Sequence, residues 1–266
     1  MYLYKKLEFD VDPLTKENRF YEGDTSVIYK KDHYLYKVYT KSEPYRRQKL
    51  DYLLDHYDDL SAISTPPIEK LQVGDFYGMK MKFLEGIDFY KYVTGDLDVG
   101  RLIAVLRLLS SRLKMMNALD IHFSDLHHHN ILIQNEIPYY IDLDDASIGK
   151  YGSCHISCIA RFLHELQDKS YEYEDDLIKY GNLDRESLGI FLLDFIFETH
   201  MERKSYDDFQ RTILQLSPYI DSALMDVFSK LKNEESSLQS IYTDYLGDYL
   251  STKNEEGIKR YIKERV

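Results

Sequence analysis

Several features that define common protein classes are scarce in this sequence. Tryptophan is absent, and only two cysteines, Cys154 and Cys158, occur in 266 residues. So few cysteines exclude a disulfide framework and predict a reducing, cytoplasmic environment. Together with His155 they offer three potential metal ligands, whereas structural zinc sites use four. We therefore expect no zinc site at these residues.

Long hydrophobic runs are also missing. The longest, at residues 188–197, is interrupted by Asp194. It is shorter than the roughly 20 apolar residues that a transmembrane helix needs. The first residues lack the apolar core of a signal peptide. The sequence therefore predicts neither a secreted protein nor a membrane span.

Positive charge is in the minority: 34 Lys and Arg residues stand against 46 Asp and Glu residues, which gives a net charge of −12. Proteins that bind nucleic acid without sequence preference use Lys and Arg to contact phosphates, so we expect no nucleic-acid partner. The composition, with 44% hydrophobic and 30% charged residues, is ordinary for a globular chain. The length fits one two-lobed domain or two small domains.

The first 85 residues show the alternation of apolar and polar residues that is typical of a small sheet. The pattern predicts two hairpins, with strands at residues 27–29, 34–39, 68–73 and 76–83. Gly74 and Asp75 form the tight turn of the second hairpin. Between the hairpins, apolar residues recur at helical spacing from Leu50 to Leu60. The predicted order is β-β-α-β-β, and a further strand at residues 3–9 is compatible with it.

From residue 86 onward the pattern becomes mainly helical. A short helix is predicted at residues 88–93 and a long amphipathic helix at 102–119. Two short strands follow, and helices begin again at Ser157. The sequence thus predicts an α+β protein, with a small antiparallel-sheet domain at residues 1–85 and a mainly helical domain at 86–266.

The short strands carry the most informative motif. Asp125 is followed after four residues by Asn130 and then by an apolar strand, and Asp142 ends the next strand twelve residues beyond Asn130. The four intervening residues form a short loop with one polar side chain at each end. A carboxylate at a strand end is well placed to hold Mg²⁺.

This arrangement resembles the catalytic loop and metal-binding segment of the protein-kinase-like superfamily, which includes bacterial Ser/Thr kinases and the aminoglycoside and choline kinases. The resemblance implies a bilobal fold that binds ATP and Mg²⁺ between its lobes. It implies that Asp125 is the catalytic base and that Asn130 and Asp142 coordinate Mg²⁺, with Asp144 as a further metal ligand. His127 stands where small-molecule kinases often carry a His, and it would contact the transferred phosphoryl group.

The resemblance also assigns residues of the first domain to phosphate binding. Gly23, Thr25, Ser26 and Val27 occupy the place of the glycine-rich loop, although the segment has one Gly where the full pattern has three. Lys37 lies on the following strand, as the phosphate-binding Lys does in the family. A Lys within an apolar strand otherwise has to extend toward water.

Two further assignments follow from the resemblance. Family members pair the phosphate-binding Lys with an acid on the next helix, where Asp51 is our first choice and Glu43 the alternative. The segment at residues 79–86 resembles the hinge that carries adenine, with Met81 as gatekeeper and with Phe83 and Leu84 offering main-chain contacts.

The sequence also departs from the protein-kinase pattern. Phe123 and Ser124 precede Asp125 in place of His and Arg, His122 lies one position too early, and no Ala-Pro-Glu segment follows. His155 is the nearest candidate for the Asp that usually braces the catalytic loop. The hydroxyl acceptor is therefore either a protein Ser/Thr or a small molecule such as an aminoglycoside, amino alcohol or sugar. The alternative is a pseudokinase that binds a nucleotide or a partner, and no oligomeric state is predicted.

Overall fold

The structure is a computed structural model, which describes residues 12–43, 45–94, 98–123, 125–153, 206–230, 250 and 252–265. Contacts between residues divide the chain into two compact units, Met1–Glu85 and Gly86–Val266. The strand considered at residues 3–9, the Cys154 to Cys158 group and the helices predicted from Ser157 to residue 205 lie outside the described residues. None of the helices in the described ranges is both long and apolar enough to cross a bilayer.

The first unit is built on one five-stranded antiparallel sheet with the order β1-β2-β3-β5-β4. In chain order the strands are β1 (Arg19–Glu22), β2 (Ser26–Lys31), β3 (Tyr34–Tyr39), β4 (Pro67–Val73) and β5 (Phe76–Lys82). The α+β class and both predicted hairpins are therefore confirmed. Strand β1 was not predicted, because three of its four residues are exposed and show no apolar alternation.

The helical pattern between the hairpins forms two helices, α1 (Arg46–Asp55) and α2 (Tyr57–Leu60). The break falls at His56, which has a non-helical backbone with φ −107° and ψ 22°. Its ring stacks on that of Tyr52 with 4.1 Å between the centroids, and its Nδ1 lies 2.9 Å from the Tyr52 carbonyl oxygen. These local contacts end the first helix well before Pro66.

The two faces of the sheet bury different apolar clusters. Leu14, Val27, Tyr29 and Val38 pack together on one face. Tyr39, Met79 and Met81 pack with Leu50 of α1 in a second cluster. Successive residues of a strand point to opposite faces, and Val38 and Tyr39 are neighbours in β3 that belong to different clusters. Helix α1 therefore covers the face that carries Tyr39.

In its described residues, the second unit combines helices with two small sheets. Its described helices are α3 (Phe89–Thr94), α4 (Val99–Ala118), α5 (Tyr206–Leu216), α6 (Ser222–Lys230) and α7 (Thr252–Arg265). Its strands are β6 (Ile87–Asp88), β7 (Ile121–His122), β8 (Ile131–Gln134), β9 (Ile137–Tyr140) and β10 (Ser147–Ile148). Strands β6, β8 and β9 form one sheet, and β7 pairs with β10 in the other.

Helix α4 supports the strands that hold the motif. It begins at Asp98, whose carboxylate accepts the Arg101 N–H at 3.1 Å, a common helix N-cap. The Tyr140 hydroxyl at the end of β9 donates to the Leu109 carbonyl of α4 at 3.0 Å. Phe123 packs edge-on against the Tyr140 ring at 5.2 Å. The residues on either side of the motif are thus fixed to one helix.

Candidate functional site

Lys37 lies in the middle of the first sheet and is only 3% exposed. Its cross-strand partners are Ile28 of β2 and Met79 of β5. Residues that are paired across strands share a face, so Lys37 is on the face covered by α1. Its Nζ lies 5.8 Å from the centroid of the Tyr39 ring. The position predicted to bind phosphate is therefore a buried cation at the centre of a sheet.

The helix face that packs on this side of the sheet is basic. The buried residues of α1 are Arg46, Lys49, Leu50 and Leu53, which repeat at intervals of three and four, as one helical face requires. Glu43, just before the helix, forms an ion pair with Arg46 and its side chain is 13% exposed. Thus the buried face of α1 presents two cations and no acid.

The structure does not support Asp51 as the acid that pairs with Lys37. Asp51 lies on the exposed side of α1 and forms an ion pair with Lys70 of β4, and half or more of each side chain is exposed. The prediction is wrong because Leu50 and Leu53 determine which face of α1 is buried. Asp51 follows Leu50 in the chain, and the 100° turn per residue carries it away from Lys37 and toward the edge strand β4.

We expect Asp51→Asn to leave nucleotide binding unchanged, because Asp51 contacts Lys70 and not Lys37. The free energy of unfolding should fall by at most about 1 kcal/mol, as is typical of exposed ion pairs. Calorimetric titration with Mg-ATP and thermal unfolding would measure the two effects. Lys70→Gln removes the other half of the same ion pair and is the matched control. Loss of ATP binding in Asp51→Asn alone would contradict the result.

The segment predicted to be a phosphate-binding loop is a three-residue hairpin turn between β1 and β2. The Gly23 N–H donates to the Ser26 carbonyl at 2.9 Å, and the Thr25 carbonyl accepts the Thr40 N–H at 2.8 Å. The N–H groups of Asp24 and Thr25 form no hydrogen bond within the described part of the chain. These two N–H groups are therefore the main-chain donors that this turn offers to a ligand.

Val27 does not share the face of Lys37. It pairs with Val38, is 1% exposed and belongs to the apolar cluster on the opposite face of the sheet. The assignment of Val27 to the phosphate-binding segment stays a prediction, and the Val27 side chain points away from Lys37. Side chains alternate between the two faces along β2. Because Ile28 pairs with Lys37, this alternation places Ile28 on the face of Lys37 and Val27 on the other.

The predicted hinge begins within strand β5 and continues past its end. Met81 is 5% exposed and pairs with Leu35, on the same face as Lys37. The Phe83 N–H donates to the His33 carbonyl at 2.8 Å, so this donor is already used by the sheet. The N–H and C=O groups of Leu84 form no hydrogen bond with any described residue. Leu84 is therefore the better placed of the two for a main-chain contact with adenine.

In the second unit, the motif residues form one hydrogen-bonded loop. Asn130 is 7% exposed, and its Nδ2 donates to the Asp125 carbonyl at 3.0 Å and to Asp125 Oδ2 at 3.2 Å. The Asn130 N–H donates to the His127 carbonyl at 3.0 Å. Both amide hydrogen bonds of the Asn130 side chain use Nδ2, so they leave the role of metal ligand to Oδ1.

His127 orients the Asp125 carboxylate. Its Nδ1 accepts the His129 N–H at 3.2 Å, which places the proton of the neutral ring on Nε2. Nε2 lies 3.3 Å from Asp125 Oδ2. Asp125 Oδ2 thus accepts a hydrogen bond from Asn130 Nδ2 and lies close to His127 Nε2. These two contacts from the same loop restrict rotation of the carboxylate.

The two other loop histidines contact each other. Nε2 of His128 lies 3.0 Å from Nε2 of His129, so one ring donates and the other accepts. Burial lowers the pKa of His128, and the neighbouring His129 and His127 lower it further. Its ring also packs against Tyr90 at 5.4 Å. These contacts give His128 a packing role.

The loop is tied to the segment that carries Asp142. The Ile141 N–H donates to the Asn130 carbonyl at 3.0 Å. Asp142 follows directly and has a left-handed backbone, with φ 60° and ψ 41°. This region costs a non-glycine residue about 1–3 kcal/mol, and such conformations concentrate at functional sites. Asp144 lies two residues further and is 1% exposed, so its carboxylate is in the packed interior.

Asn130 and Asp142 fit the chemistry of magnesium. Amide and carboxylate oxygens are hard ligands, and Mg²⁺ commonly takes one or two protein ligands together with substrate phosphates and water. No group of three or more His, Cys, Asp or Glu side chains suited to a metal occurs among the described residues. Asn130 and Asp142 are only two residues, so they fall outside such groups. The proposed magnesium site therefore depends on the side-chain oxygens of these two residues.

The residues before the loop are structural. Phe123 is 1% exposed, and His122 Nε2 lies 3.2 Å from Asp120 Oδ1. Ser124 and His155 lie outside the described residues.

No protein-family model matches the sequence, and no curated protein matches it at a significant level. The functional assignment therefore depends on the residues and contacts described above.

Proposed function

We propose that this protein is an ATP-dependent phosphotransferase of the protein-kinase-like type, which transfers the γ-phosphate to a hydroxyl group. The observation that carries the proposal is the loop of Asp125, His127 and Asn130, whose members contact one another. The carbonyl of Asn130 also accepts a hydrogen bond from the N–H of Ile141, the residue before Asp142. The spacing of a general base and two metal ligands needs such a loop. A loop that served only as a turn would not need two side chains against one carboxylate oxygen.

Each residue has a distinct role in this proposal. Asp125 orients the acceptor hydroxyl and accepts its proton, and His127 with Asn130 holds the carboxylate in place. Lys37 and the N–H groups of Asp24 and Thr25 bind the phosphates. Mg²⁺ held by Asn130 and Asp142 would neutralise charge on the transferred phosphoryl group. Catalysis then depends mainly on positioning and electrostatic stabilisation.

We favour a small hydroxylated molecule as the acceptor over a protein Ser/Thr. The segment after Asp142 is short and has no Ala-Pro-Glu ending, so it lacks a feature of kinases that bind peptide substrates. His127 occupies the position where small-molecule kinases often carry His. A net charge of −12 would also attract a cationic acceptor such as an aminoglycoside.

One observation favours the alternative, a pseudokinase that binds a nucleotide or a partner. The buried face of α1 carries Arg46 and Lys49, and Asp51 is paired with Lys70 on the exposed side. The acid that the resemblance assigns to this helix thus contacts another cation. A binding module does not require that acid to pair with Lys37.

Asp142→Asn tests the metal assignment. Asn tolerates the left-handed backbone of this position but carries no charge, so we expect the apparent affinity for Mg²⁺ to fall at least tenfold. The measurement is ATP turnover as a function of Mg²⁺ concentration, with panels of proteins and aminoglycosides as acceptors. Asp32→Asn makes the same change at another left-handed residue, with φ 54°, and is the matched control.

The outcomes separate the two candidate functions. Turnover that is reduced in Asp142→Asn and normal in Asp32→Asn supports the phosphotransferase. Binding of Mg-ATP by the wild-type protein without turnover on any acceptor would support the pseudokinase. A folded wild-type protein that neither binds Mg-ATP nor transfers phosphate would contradict both.

A further inference from the structure

A second candidate binding site lies within the first unit. A cavity of about 420 Å³ is formed where β3 ends and where α1 and β5 begin, with Tyr39, Arg46, Arg47 and Tyr77 in its walls. Tyr77 and Met81 are four residues apart on β5, which separates them by about 13 Å at the usual rise of a strand. The cavity is therefore distinct from the hinge predicted to bind adenine.

The cations of this cavity are held in place by aromatic rings. The Arg46 guanidinium carbon lies 4.3 Å from the centroid of the Tyr39 ring, and that of Arg47 lies 4.6 Å from the Tyr77 ring. The two rings pack against each other at 5.1 Å. Arginines that are stacked in this way lose little further freedom when they bind a ligand.

The surroundings of the cavity are electropositive. The buried charged side chains among the described residues of the first unit are Lys37, Arg46 and Lys49, all of them cations. In the cavity wall, Lys41 and Arg47 add positive charge, and of the two acids, Glu43 and Asp75, Glu43 pairs with Arg46. A concave surface with an excess of one charge concentrates ions of the opposite charge.

The wall also supplies many neutral hydrogen-bond donors. Hydroxyl groups come from Thr40, Ser42 and Tyr45, and an amide comes from Gln48. A phosphate monoester has three terminal oxygens that accept several hydrogen bonds, and guanidinium groups match their geometry. The volume is within the range of small-molecule sites, about 300–1,000 Å³, and it exceeds what a bare anion fills. We propose that this cavity binds a small organic phosphate monoester.

Phenyl phosphate is a suitable probe, because it combines the monoester with a compact apolar group. We expect calorimetric titration of the full chain to show saturable binding at constant ionic strength. Arg47→Ala should raise the dissociation constant about tenfold or more, since it removes charged hydrogen bonds. Arg47 is exposed, so the variant should fold normally, which circular dichroism would verify.

The matched control is Arg101→Ala, which removes another exposed Arg, from α4 of the second unit. The Arg101 side chain is 68% exposed and pairs with Glu136. The affinity of this variant for phenyl phosphate should equal that of the wild type. The proposal would be overturned by absence of saturable binding, by unchanged affinity in Arg47→Ala, or by equal losses in both variants. Equal affinity for inorganic phosphate would overturn the assignment of an organic monoester.

Discussion

Asp125→Asn is expected to reduce the rate of phosphoryl transfer by about 10²–10⁴-fold, the usual contribution of a general base. The substituted side chain keeps its shape and one carbonyl oxygen. That oxygen can still accept from Asn130 Nδ2 and His127 Nε2, which lie 3.2 and 3.3 Å from Asp125 Oδ2. The loop should therefore remain folded, while the negative charge and the capacity to accept a proton are lost.

The appropriate measurement is the Mg²⁺-dependent kcat with the best acceptor found, together with KM for ATP. KM should change little, because Asp125 is assigned to the hydroxyl acceptor and not to the nucleotide. Asp120→Asn is the matched control: Asp120 is 67% exposed, pairs with His122 and has a left-handed backbone with φ 53°, which Asn tolerates. Similar rates in the two variants would contradict the role of Asp125.

Gly78→Ala is expected to destabilise the first unit, with a loss of about 1–3 kcal/mol in the free energy of unfolding, as for overpacked cores. A Cβ atom at position 78 would lie 2.1 Å from the Lys37 carbonyl oxygen and 3.0 Å from the Val38 Cα. Both are backbone atoms and cannot rotate away. Strand β5 would have to separate from β3 at Val38, the residue that pairs with Gly78.

Urea unfolding followed by circular dichroism would measure this loss. Gly23→Ala is the control in the same unit, because its Cβ would meet the Tyr21 ring at 3.2 Å, and that side chain is 59% exposed and free to turn. We expect the control to change stability by less than about 1 kcal/mol. An equal effect of the two substitutions would show that the close approach of β5 to Lys37 does not constrain the fold.

Local patterns predicted the elements of the fold well. Both hairpins of the first unit formed where alternation and turn residues indicated them, and the turn at Gly74 has φ 57°. The helix predicted at residues 102–119 is α4, Val99–Ala118. Such elements depend on residues that are close in the chain, so the sequence displays their signals directly. The two lobes of a kinase and the activity remain predictions.

The sequence was less informative about the direction of side chains. Val27 and Ile28 are neighbours, and only the pairing of β2 with β3 shows that Ile28 shares the face of Lys37. Likewise, Asp51 is an acid on the correct helix, but burial of Leu50 turns it toward solvent and Lys70. A shift of one residue reverses the face in a strand and rotates it by 100° in a helix.

The sequence by itself identified the loop from Asp125 to Asn130, because the motif is a fixed spacing of residues within one short segment. Only the tertiary structure decided that His127 contacts the Asp125 carboxylate, that α1 presents Arg46 and Lys49 to the sheet, and that Arg47 and Tyr77 meet at a cavity. The last two depend on residues that are distant in the chain. Their proximity results from the packing of whole elements, which the order of residues along one segment does not specify.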